Sequence, residues 1–457
     1  MGQSISTKPP SGMRDFLASD VVRRRYVLSV VQRAYESFGF VPLETPTIEN
    51  LSTLLGKYGP EGDQLLYRLL HRRDKLTRAV AKGLAASELS ELDLAAEGLR
   101  YDLTVPLARV VANYRDLPSY YKRYQIQPVW RADRPAKGRF REFYQCDVDI
   151  TGTTNMVADA EVCGAIATVL RELGFRDFRI LTNHRELLRG LVARAGIADE
   201  MESLALIALD KLDKIGREAV AAELVEKGIG EQQVKALFAS LESMQQEGAL
   251  QRLAAGEAET AGGGADRSQA GARELQQLFD NAASGPAAEH LVFDPTLARG
   301  LSYYTGPIFE IQVEGLAGSM GGGGRYDNLI GMFQKQQVPA VGFSLGLERV
   351  LLVMTEREMF PELACGPELL LCRMAEVEPS RALGVASELR AAGLRVEVFA
   401  DAAAMKKQLS YANTLGVDHV GILGPDEVAS GTLALKDLRS GEQRSCALGE
   451  VISTVRG

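Results

Sequence analysis

The chain has 457 residues, of which 46% are apolar and 25% are charged, an ordinary globular composition with enough length for about two to four domains. A net charge of −8 argues against a uniformly basic surface, so a nucleic-acid partner would have to meet local basic faces. No apolar run reaches the roughly 20 residues that span a bilayer, and the first 20 residues contain no apolar signal core. We therefore expect a cytoplasmic protein.

The cysteines and histidines offer little material for a metal site. The five cysteines are widely spaced without a CxxC pair, and none of the four histidines has a metal-ligand partner nearby in the sequence. A disulfide framework, a structural zinc site and a Ser/His hydrolase are all disfavoured.

In chain order, the first predicted element is an amphipathic helix over residues 19–38, with apolar side chains at three- and four-residue steps and Gly39 at its end. Residues 40–46 predict a short strand closed by Pro46. Residues 56–97 are polar and Ala-rich, and we expect loops and helix there. Four further strands, with a helix over 157–173 before the last, are predicted at residues 99–104, 124–130, 140–150 and 176–182.

The character of the sequence changes between residues 184 and 290, where charged helical stretches dominate. Within this region the Ala/Gly-rich segment 254–273 predicts a mobile stretch. Strand patterns return at 291–296 and 307–313, and residues 321–326 predict a glycine-rich turn. Residues 341–346 then lead into a helix that carries Glu348 and Arg349.

The C-terminal part has a simpler pattern. Residues 356–366 predict a linker, and strands and helices alternate after it to the end of the chain. This alternation is typical of a small α/β domain. The preceding body predicts a mostly antiparallel sheet with helices, interrupted by the helical region.

Residues 130–149 carry the strongest chemical signal. Arginines surround a predicted turn, an aromatic pair follows, and the stretch ends in a strand that bears Gln145 and Asp149. Arginine binds phosphate oxygens with a planar fork that lysine lacks, and an aromatic ring can stack on a base. An amide and a carboxylate can hold an ammonium group. One hairpin could therefore hold a nucleotide beside an amino acid.

Two further segments place an arginine close to glycines, where the main chain can approach a ligand. They are residues 297–306, with Arg299, and residues 342–349, with Arg349. Together with the hairpin they resemble the motifs of the histidyl-tRNA synthetases, a class II aminoacyl-tRNA synthetase family. Residues 19–46 resemble motif 1, which forms the dimer in that family, 130–149 resemble motif 2, and 341–354 resemble motif 3. Residues 299–304 and 321–327 resemble two signatures peculiar to the histidine enzymes.

The resemblance covers nearly the whole chain and implies an α+β fold of class II type. It implies an antiparallel-sheet catalytic domain in residues 1–190 and 291–358, a helical insertion in 191–290, and a C-terminal α/β anticodon-binding domain in 366–457. It also implies ATP, L-histidine and tRNA(His) as partners, a homodimer, and no membrane. In the family, histidyl-adenylate forms first and the histidyl group then passes to the tRNA.

By resemblance, Arg131 bridges the amino-acid carboxylate and the α-phosphate, and Arg299 acts on the α-phosphate where other class II enzymes use a metal ion. The remaining positions implied for ATP are Asp133, Arg139, Phe143 and Arg349. Mg²⁺ is expected with ATP, although the sequence shows no dedicated metal cage. In-line displacement at phosphorus mainly requires alignment and charge neutralisation, which suits a set of arginines.

The positions implied for histidine, besides Arg131 and Arg299, are Asp102, Leu103, Thr104, Gln145, Asp149, Tyr303 and Tyr304. Asp102, Thr104 and Gln145 match the surroundings of the α-amino group, and Asp149 and Tyr304 match the groups that read the imidazole. Asp102 and Asp149 follow the form of the eukaryotic and archaeal branch, whereas the common bacterial form has glutamates. In the C-terminal domain, the implied tRNA contacts are Lys406, Lys407, Gln408 and Tyr411.

Each feature alone also has an ordinary explanation. An arginine-rich turn is usually solvated surface, a glycine run is more often a flexible loop, and Tyr303 and Tyr304 could simply pack. A non-catalytic relative, such as a regulatory subunit of histidine synthesis or a sensor of uncharged tRNA, would keep the fold and lose the chemistry. The four arginines at 131, 139, 299 and 349 are all present, and this favours the enzyme.

Overall fold

The computed structural model describes residues 5–86, 90–257, 264–298 and 303–456. They form two compact units, one within residues 1–15 and 23–360 and the other within 16–22 and 361–457. The strands are β1 (Val41–Pro42), β2 (Ile48–Asn50), β3 (Arg68–Leu70), β4 (Ala95–Leu99), β5 (Tyr121–Trp130), β6 (Glu142–Thr151), β7 (Phe178–His184), β8 (Leu291–Phe293), β9 (Pro307–Val313), β10 (Gly321–Arg325), β11 (Ala340–Gly346), β12 (Leu369–Arg373), β13 (Val396–Val398), β14 (His419–Leu423), β15 (Thr432–Asp437) and β16 (Gln443–Ala447).

The helices are α1 (Ala18–Ser37), α2 (Leu51–Leu54), α3 (Gly59–Gln64), α4 (Arg73–Ala86), α5 (Glu91–Leu94), α6 (Thr104–Asn113), α7 (Val157–Glu172), α8 (Arg185–Arg194), α9 (Asp199–Leu209), α10 (Leu212–Glu226), α11 (Glu231–Met244), α12 (Ala249–Ala255), α13 (Ala265–Ala282), α14 (Leu347–Glu356), α15 (Pro379–Ala391), α16 (Met405–Leu415), α17 (Pro425–Ser430) and α18 (Val451–Arg456). Within the described ranges, no helix combines the length and apolar character needed to cross a membrane.

The first unit is built on an eight-stranded sheet with the order β1-β5-β6-β11-β10-β9-β7-β8. The pairs from β5 to β7 are antiparallel, and only the outer strands β1 and β8 run parallel to their neighbours. The prediction of a mostly antiparallel sheet with helices is confirmed.

One face of this sheet is covered by α1 and α7. The apolar stripe predicted for the first helix is buried, with Val27, Val31 and Tyr35 at 0% exposure in the same core as Cys146 and Val148 of β6. Burial of each such side chain is worth roughly 1.5–3 kcal/mol. Because side chains alternate along a strand, residues 145, 147 and 149 point to the opposite face, away from this core.

Two strand predictions in the N-terminal half were wrong in extent. Only Val41–Pro42 of the predicted strand 40–46 is paired, and Thr45 N donates to the side-chain oxygen of Gln127 at 3.1 Å instead of to a neighbouring strand. At 99–104, β4 ends at Leu99 and α6 begins at Thr104. The Asp102 carboxylate accepts from Val105 N at 3.1 Å, a side-chain contact that favours a helix start, and Pro106 is tolerated in the first turn. The 56–97 region also contains β3 and β4, which join β2 in a small three-stranded sheet.

The predicted glycine-rich turn is instead strand β10, paired with β9 and β11 on its two sides. Side chains here would meet neighbouring main chain: a Cβ on Gly323 would lie 2.2 Å from Gly342 O, and one on Gly321 would lie 2.4 Å from Ser344 O. The glycines therefore serve close packing of the sheet, a role that a local turn signal cannot distinguish.

Helices α8–α13 lie between β7 and β8 in the sequence, as the helical prediction requires. The prediction of mobility for 254–273 was wrong for residues 265–273, which belong to α13. Ser268, Gly271 and Ala272 are buried there, and a Cβ on Gly190 of α8 would lie 1.9 Å from Ser268 Oγ. Small residues thus allow close approach of the two helices. Residues 258–263 lie outside the described part of the chain.

The second unit contains a five-stranded sheet with the order β13-β12-β14-β15-β16. β12 runs parallel to both β13 and β14, and β15 and β16 complete the sheet antiparallel. The predicted small α/β domain is confirmed, whereas β16 and α17 were not predicted.

Candidate active site

A cavity of about 290 Å³ opens on the polar face of the eight-stranded sheet. It is lined by Asp102, Thr104, Arg131, Phe143, Gln145, Tyr303, Tyr304, Phe309, Glu310, Ser319, Met320, Gly321, Gly322, Gly323, Ser344, Gly346 and Arg349. Eight of these residues were predicted from the sequence, and they come from four separate segments of the chain: 102–104, 131–145, 303–304 and 349.

The floor of the cavity follows a row of residues in register across the sheet, and this row continues behind the cavity to Asp147. Asp147 on β6 pairs with Ser344 on β11, Ser344 with Gly322 on β10, and Gly322 with Glu310 on β9. The missing side chain at Gly322 leaves open space between Ser344 and Glu310. The register of these four strands therefore brings residues that are far apart in the sequence into one polar surface.

Arg131 is held at the cavity wall at the end of β5. Its Nε donates to Tyr101 O at 3.0 Å, and its guanidinium carbon lies 4.2 Å from the Tyr101 ring centroid and 5.1 Å from that of Phe143. Stacking on rings fixes the plane of the guanidinium. A fixed fork beside the half-buried ring of Phe143, which lines the cavity, is suited to a phosphate next to a base.

Arg349 lies across the cavity, in the first turn of α14, and its Nη1 donates to Ala317 O at 3.1 Å. The preceding residue, Glu348, is buried and accepts from Arg24 Nη1 and from Tyr144 N, each at 3.0 Å. Glu348 therefore ties α14 to α1 and to β6, and this anchors the helix that presents Arg349.

Asp102 is buried and surrounded by donors. Its Oδ1 accepts from Tyr58 OH and from Val105 N, each at 3.1 Å, and its Oδ2 accepts from Tyr303 OH at 3.3 Å. Burial nevertheless raises the pKa of Asp102 above its ordinary value. An incoming cation would therefore favour the ionised form of this buried carboxyl group.

Gln145 combines a fixed amide nitrogen with a spare oxygen. Its Nε2 donates to Ser344 Oγ at 2.7 Å. Its Oε1 is buried and has no hydrogen-bond partner within the described residues. Buried polar atoms are normally satisfied, so this oxygen is a candidate acceptor for a ligand.

Asp149 lies directly behind the lining. Its Oδ2 forms an ion pair with Arg123 Nη2 at 2.8 Å, and its Oδ1 accepts a hydrogen bond from Tyr326 OH. Burial raises its pKa, although the charge of Arg123 opposes this shift. A Cβ on Gly342 would lie 1.9 Å from Asp149 Oδ1, so the carboxylate occupies space that only glycine leaves.

Three other predicted residues do not line the cavity. Leu103 is fully buried, and its carbonyl accepts from Arg123 Nη2 at 3.1 Å. Asp133 and Arg139 lie on the loop between β5 and β6, with their charged groups 4.0 Å apart. Arg299 lies outside the described residues.

Several site residues were missed by the sequence reasoning. Ser319, Glu310 and Ser344 line the cavity, and Tyr58 and Asp147 stand behind it. Only Asp147 had a usable signal, because it shares the face of Gln145 and Asp149 by the two-residue period of a strand.

In the second unit, the residues predicted to contact tRNA have different environments. Lys406, Lys407 and Tyr411 are exposed on α16, and Tyr411 OH donates to Glu397 at 2.6 Å. Gln408 is 1% exposed, and its amide bonds to the main chain of Arg373 and Ala403. The structure therefore removes Gln408 from the set of residues that could face RNA.

Within the described residues, no group of three or more His, Cys, Asp or Glu side chains is placed to hold a metal ion. Glu310 nevertheless presents a carboxylate at the cavity wall, a hard oxygen ligand of the kind that magnesium prefers.

Comparison with known proteins gives one consistent result. The sequence profile of the histidyl-tRNA synthetase family matches residues 91–350, and that of an anticodon-binding domain matches 371–457. The chain is 43% identical to a histidine–tRNA ligase of Porphyromonas gingivalis, over 95% of this chain and 96% of that protein. It is 40% identical to one of Bacteroides fragilis, over 99% and 100% respectively. A crystal structure of histidyl-tRNA synthetase from a Nostoc species superposes with a TM-score of 0.77 at 29% identity, covering 99% of both chains.

Proposed function

The chain belongs to the histidyl-tRNA synthetase family, and from this premise we propose that its cavity joins L-histidine to tRNA(His) in two steps. ATP and histidine first form histidyl-adenylate and release diphosphate. The 3′-terminal adenosine of the tRNA then takes the histidyl group, and AMP leaves.

One observation carries this proposal: a single cavity combines two arginine forks, an aromatic ring, a buried carboxylate and a buried amide oxygen that has no hydrogen-bond partner among the described residues. The arginines suit phosphate, the ring suits adenine, and the carboxylate and amide suit an ammonium group. These are the groups that an amino acid and ATP present when they meet.

In the proposed first step, Arg131 holds the histidine carboxylate next to the α-phosphate. The carboxylate oxygen attacks phosphorus and diphosphate leaves on the opposite side. Arg131 and Arg299 stabilise the negative charge that is shared in the transition state, while Arg349 and Arg139 hold the outer phosphates. Phe143 stacks on adenine and Asp133 accepts from its amino group. Preorganised charges of this kind lower the barrier without covalent help from the protein.

We assign the α-ammonium group of histidine to Asp102, Thr104 and Gln145. The imidazole ring is assigned to Tyr304, with Tyr303 beside it, and to Asp149, whose carboxylate takes the space left by the absence of a side chain at Gly342. Imidazole has two distinct nitrogens, so a carboxylate and a hydroxyl can each satisfy one. A wrong amino acid would leave these buried groups unpaired and would be rejected by roughly 10⁴-fold or more.

Magnesium is proposed to arrive with the triphosphate as part of the substrate, with Glu310 as the carboxylate that faces it. We assign residues 1–190 and 291–358 to the catalytic domain and 191–290 to the insertion that grips the acceptor arm. Residues 366–457 are assigned to the domain that binds the anticodon, with Lys406, Lys407 and Tyr411 facing the RNA. A homodimer formed through residues 19–46 and a cytoplasmic location complete the proposal.

The decisive test is exchange of labelled pyrophosphate into ATP with each of the twenty amino acids in turn. We expect exchange with histidine alone, and subsequent charging of tRNA(His). Absence of exchange with every amino acid would contradict the proposal and favour a regulatory relative that has kept only the fold.

A further inference from the structure

Asp147 is a buried carboxylate beside the cavity to which the proposed reaction gives no role. It is 2% exposed and lies on β6 between Gln145 and Asp149. Burial raises its pKa to about 7. A buried carboxylate that is ionised lowers the stability of the folded protein. Titratable groups with strongly shifted pKa values are concentrated at functional sites.

Asp147 ends a short chain of hydrogen bonds that starts at the cavity. Gln145 Nε2 donates to Ser344 Oγ at 2.7 Å, and a side-chain hydrogen bond from Ser344 lowers the pKa of Asp147, against the larger effect of burial. The strand register explains this contact, because Ser344 and Asp147 are direct cross-strand partners. Gln145 Nε2 also lies 3.5 Å from Asp147 Oδ1.

The direction of this chain is set by its last member. When Asp147 is ionised its carboxylate can only accept, so the Ser344 hydroxyl then donates to Asp147 and accepts from Gln145. The Gln145 amide then keeps its NH₂ group on Ser344 and leaves Oε1 as the atom without a partner within the described residues. The reverse orientation would offer NH₂ donors to the ligand.

We propose that Asp147 is a positioning residue that acts through Ser344 to hold the Gln145 amide with its oxygen free for the α-ammonium group of the amino acid. This inference rests on the proposed function, which places histidine in the cavity. An ammonium group has only hydrogen-bond donors. An amide that turned its NH₂ group towards the ligand would repel it, and the affinity for histidine would fall.

The test uses two variants of the full-length enzyme. Asp147→Asn keeps the shape of the side chain but offers both a donor and an acceptor, so the direction of the chain is no longer fixed. Ser344→Ala removes the connecting hydroxyl without changing any charge. At pH 8, in pyrophosphate exchange, each variant should raise the KM for histidine by roughly 10- to 100-fold and leave the KM for ATP within about twofold.

Two further measurements separate positioning from general damage. The inhibition constant of 3-(imidazol-4-yl)propanoate, which is histidine without its amino group, should be unchanged in both variants. The double variant should be no worse than the more impaired single variant, because the two residues act in series.

Unchanged histidine KM in both variants would overturn the inference, and so would parallel weakening of histidine and the analogue. If Asp147→Asn fails to fold, Ser344→Ala alone decides between these results. A wild-type enzyme that shows no exchange with histidine would overturn the proposed function together with this inference. Histidine-dependent exchange that is normal in the variants removes only the role of Asp147.

Discussion

Two buried glutamines, one in each unit, have opposite surroundings. Gln408 on α16 is saturated: its Nε2 donates to Arg373 O and Ala403 O, each at 2.8 Å, and its Oε1 accepts from Arg373 N at 3.1 Å. Gln145 on β6 donates to Ser344, and its Oε1 has no partner within the described residues. The same side chain therefore serves architecture in one unit and is left available for a ligand in the other.

The surroundings of the two residues extend this contrast. Asp102, Asp147 and Asp149 are all buried close to Gln145, and burial raises the pKa of each. Gln408 instead lies on a helix that packs with the apolar cluster of Leu370 and Ala412. Buried polar groups with spare hydrogen-bonding capacity mark a site, whereas saturated ones mark a structural joint.

The largest expected effect tests the cavity itself. Arg131→Ala should lower histidine-dependent pyrophosphate exchange by about 10³-fold, because a fixed charge at the reacting phosphate is lost. Arg134→Ala is the matched control, since Arg134 is an exposed arginine on the same loop outside the lining. Similar losses in the two variants would contradict the assignment of Arg131.

The structural half of the comparison is tested by Gln408→Ala. The truncation leaves the main-chain N–H and carbonyl of Arg373 without their partner, so we expect a loss of about 2–3 kcal/mol in the unfolding free energy of the C-terminal unit. Chemical denaturation followed by circular dichroism measures it. Pyrophosphate exchange with histidine should stay at the wild-type level. A large loss of exchange would contradict a purely structural role for Gln408.

The functional half is tested by Gln145→Ala. We expect the KM for histidine to rise by roughly 30-fold, because a charge-assisted hydrogen bond to the ammonium group is removed. The unfolding free energy should change by less than about 1 kcal/mol, since the only short hydrogen bond lost is that to Ser344 Oγ and Oε1 has no partner to lose within the described residues. A stability loss as large as that of Gln408→Ala would show that both glutamines are structural and would contradict the assignment of Gln145 to the ligand.

The buried carboxylates predict a pH dependence of stability. The pKa of Asp147 is raised from 3.8 to about 7 by burial, so the folded state binds more protons than the unfolded state between these values. Stability from this group is present below about pH 4 and is lost as the pH rises towards 7. Asp147→Asn should therefore gain stability relative to the wild type across this window, by at most about 1.4 kcal/mol per pH unit.

The other charged or titratable groups that act on Asp147 are the same in both proteins: Arg123, Asp149, Asp102, Tyr35, Cys146 and Tyr304. The same substitution at the exposed Asp116 controls for the chemical change. Urea unfolding at several pH values provides the comparison, and parallel curves for the wild type and Asp147→Asn would contradict the raised pKa.

The smallest effect is expected on the exposed face of α16. Reversal of charge at Lys406 and Lys407 to glutamate should raise the KM for tRNA by about three- to tenfold at low salt, and the difference should shrink as salt is added. Pyrophosphate exchange needs no tRNA and serves as the internal control. An equal effect at low and high salt would argue against phosphate contacts at these lysines.

The sequence alone determined most of the elements and the identity of many site residues. Helical periodicity over 19–38 and 157–173 and strand patterns at 124–130 and 140–150 are local signals, and all four elements are present. The motif residues were identifiable because their types and spacing occur within short segments, as at Arg131, Phe143 and Gln145.

The tertiary structure alone decided which groups meet and which are satisfied. Gln145 and Ser344 are 199 residues apart, and Tyr58 and Asp102 are 44 apart, so no local pattern could join them. The glycines of β10 form a strand because β9 and β11 pair with them in register on both sides. Gln408 is buried because its amide forms hydrogen bonds with the main chain of Arg373 at the end of β12. Strand pairing and the hydrogen bonding of buried polar groups both depend on residues that are distant in the sequence, and only the folded chain brings these residues together.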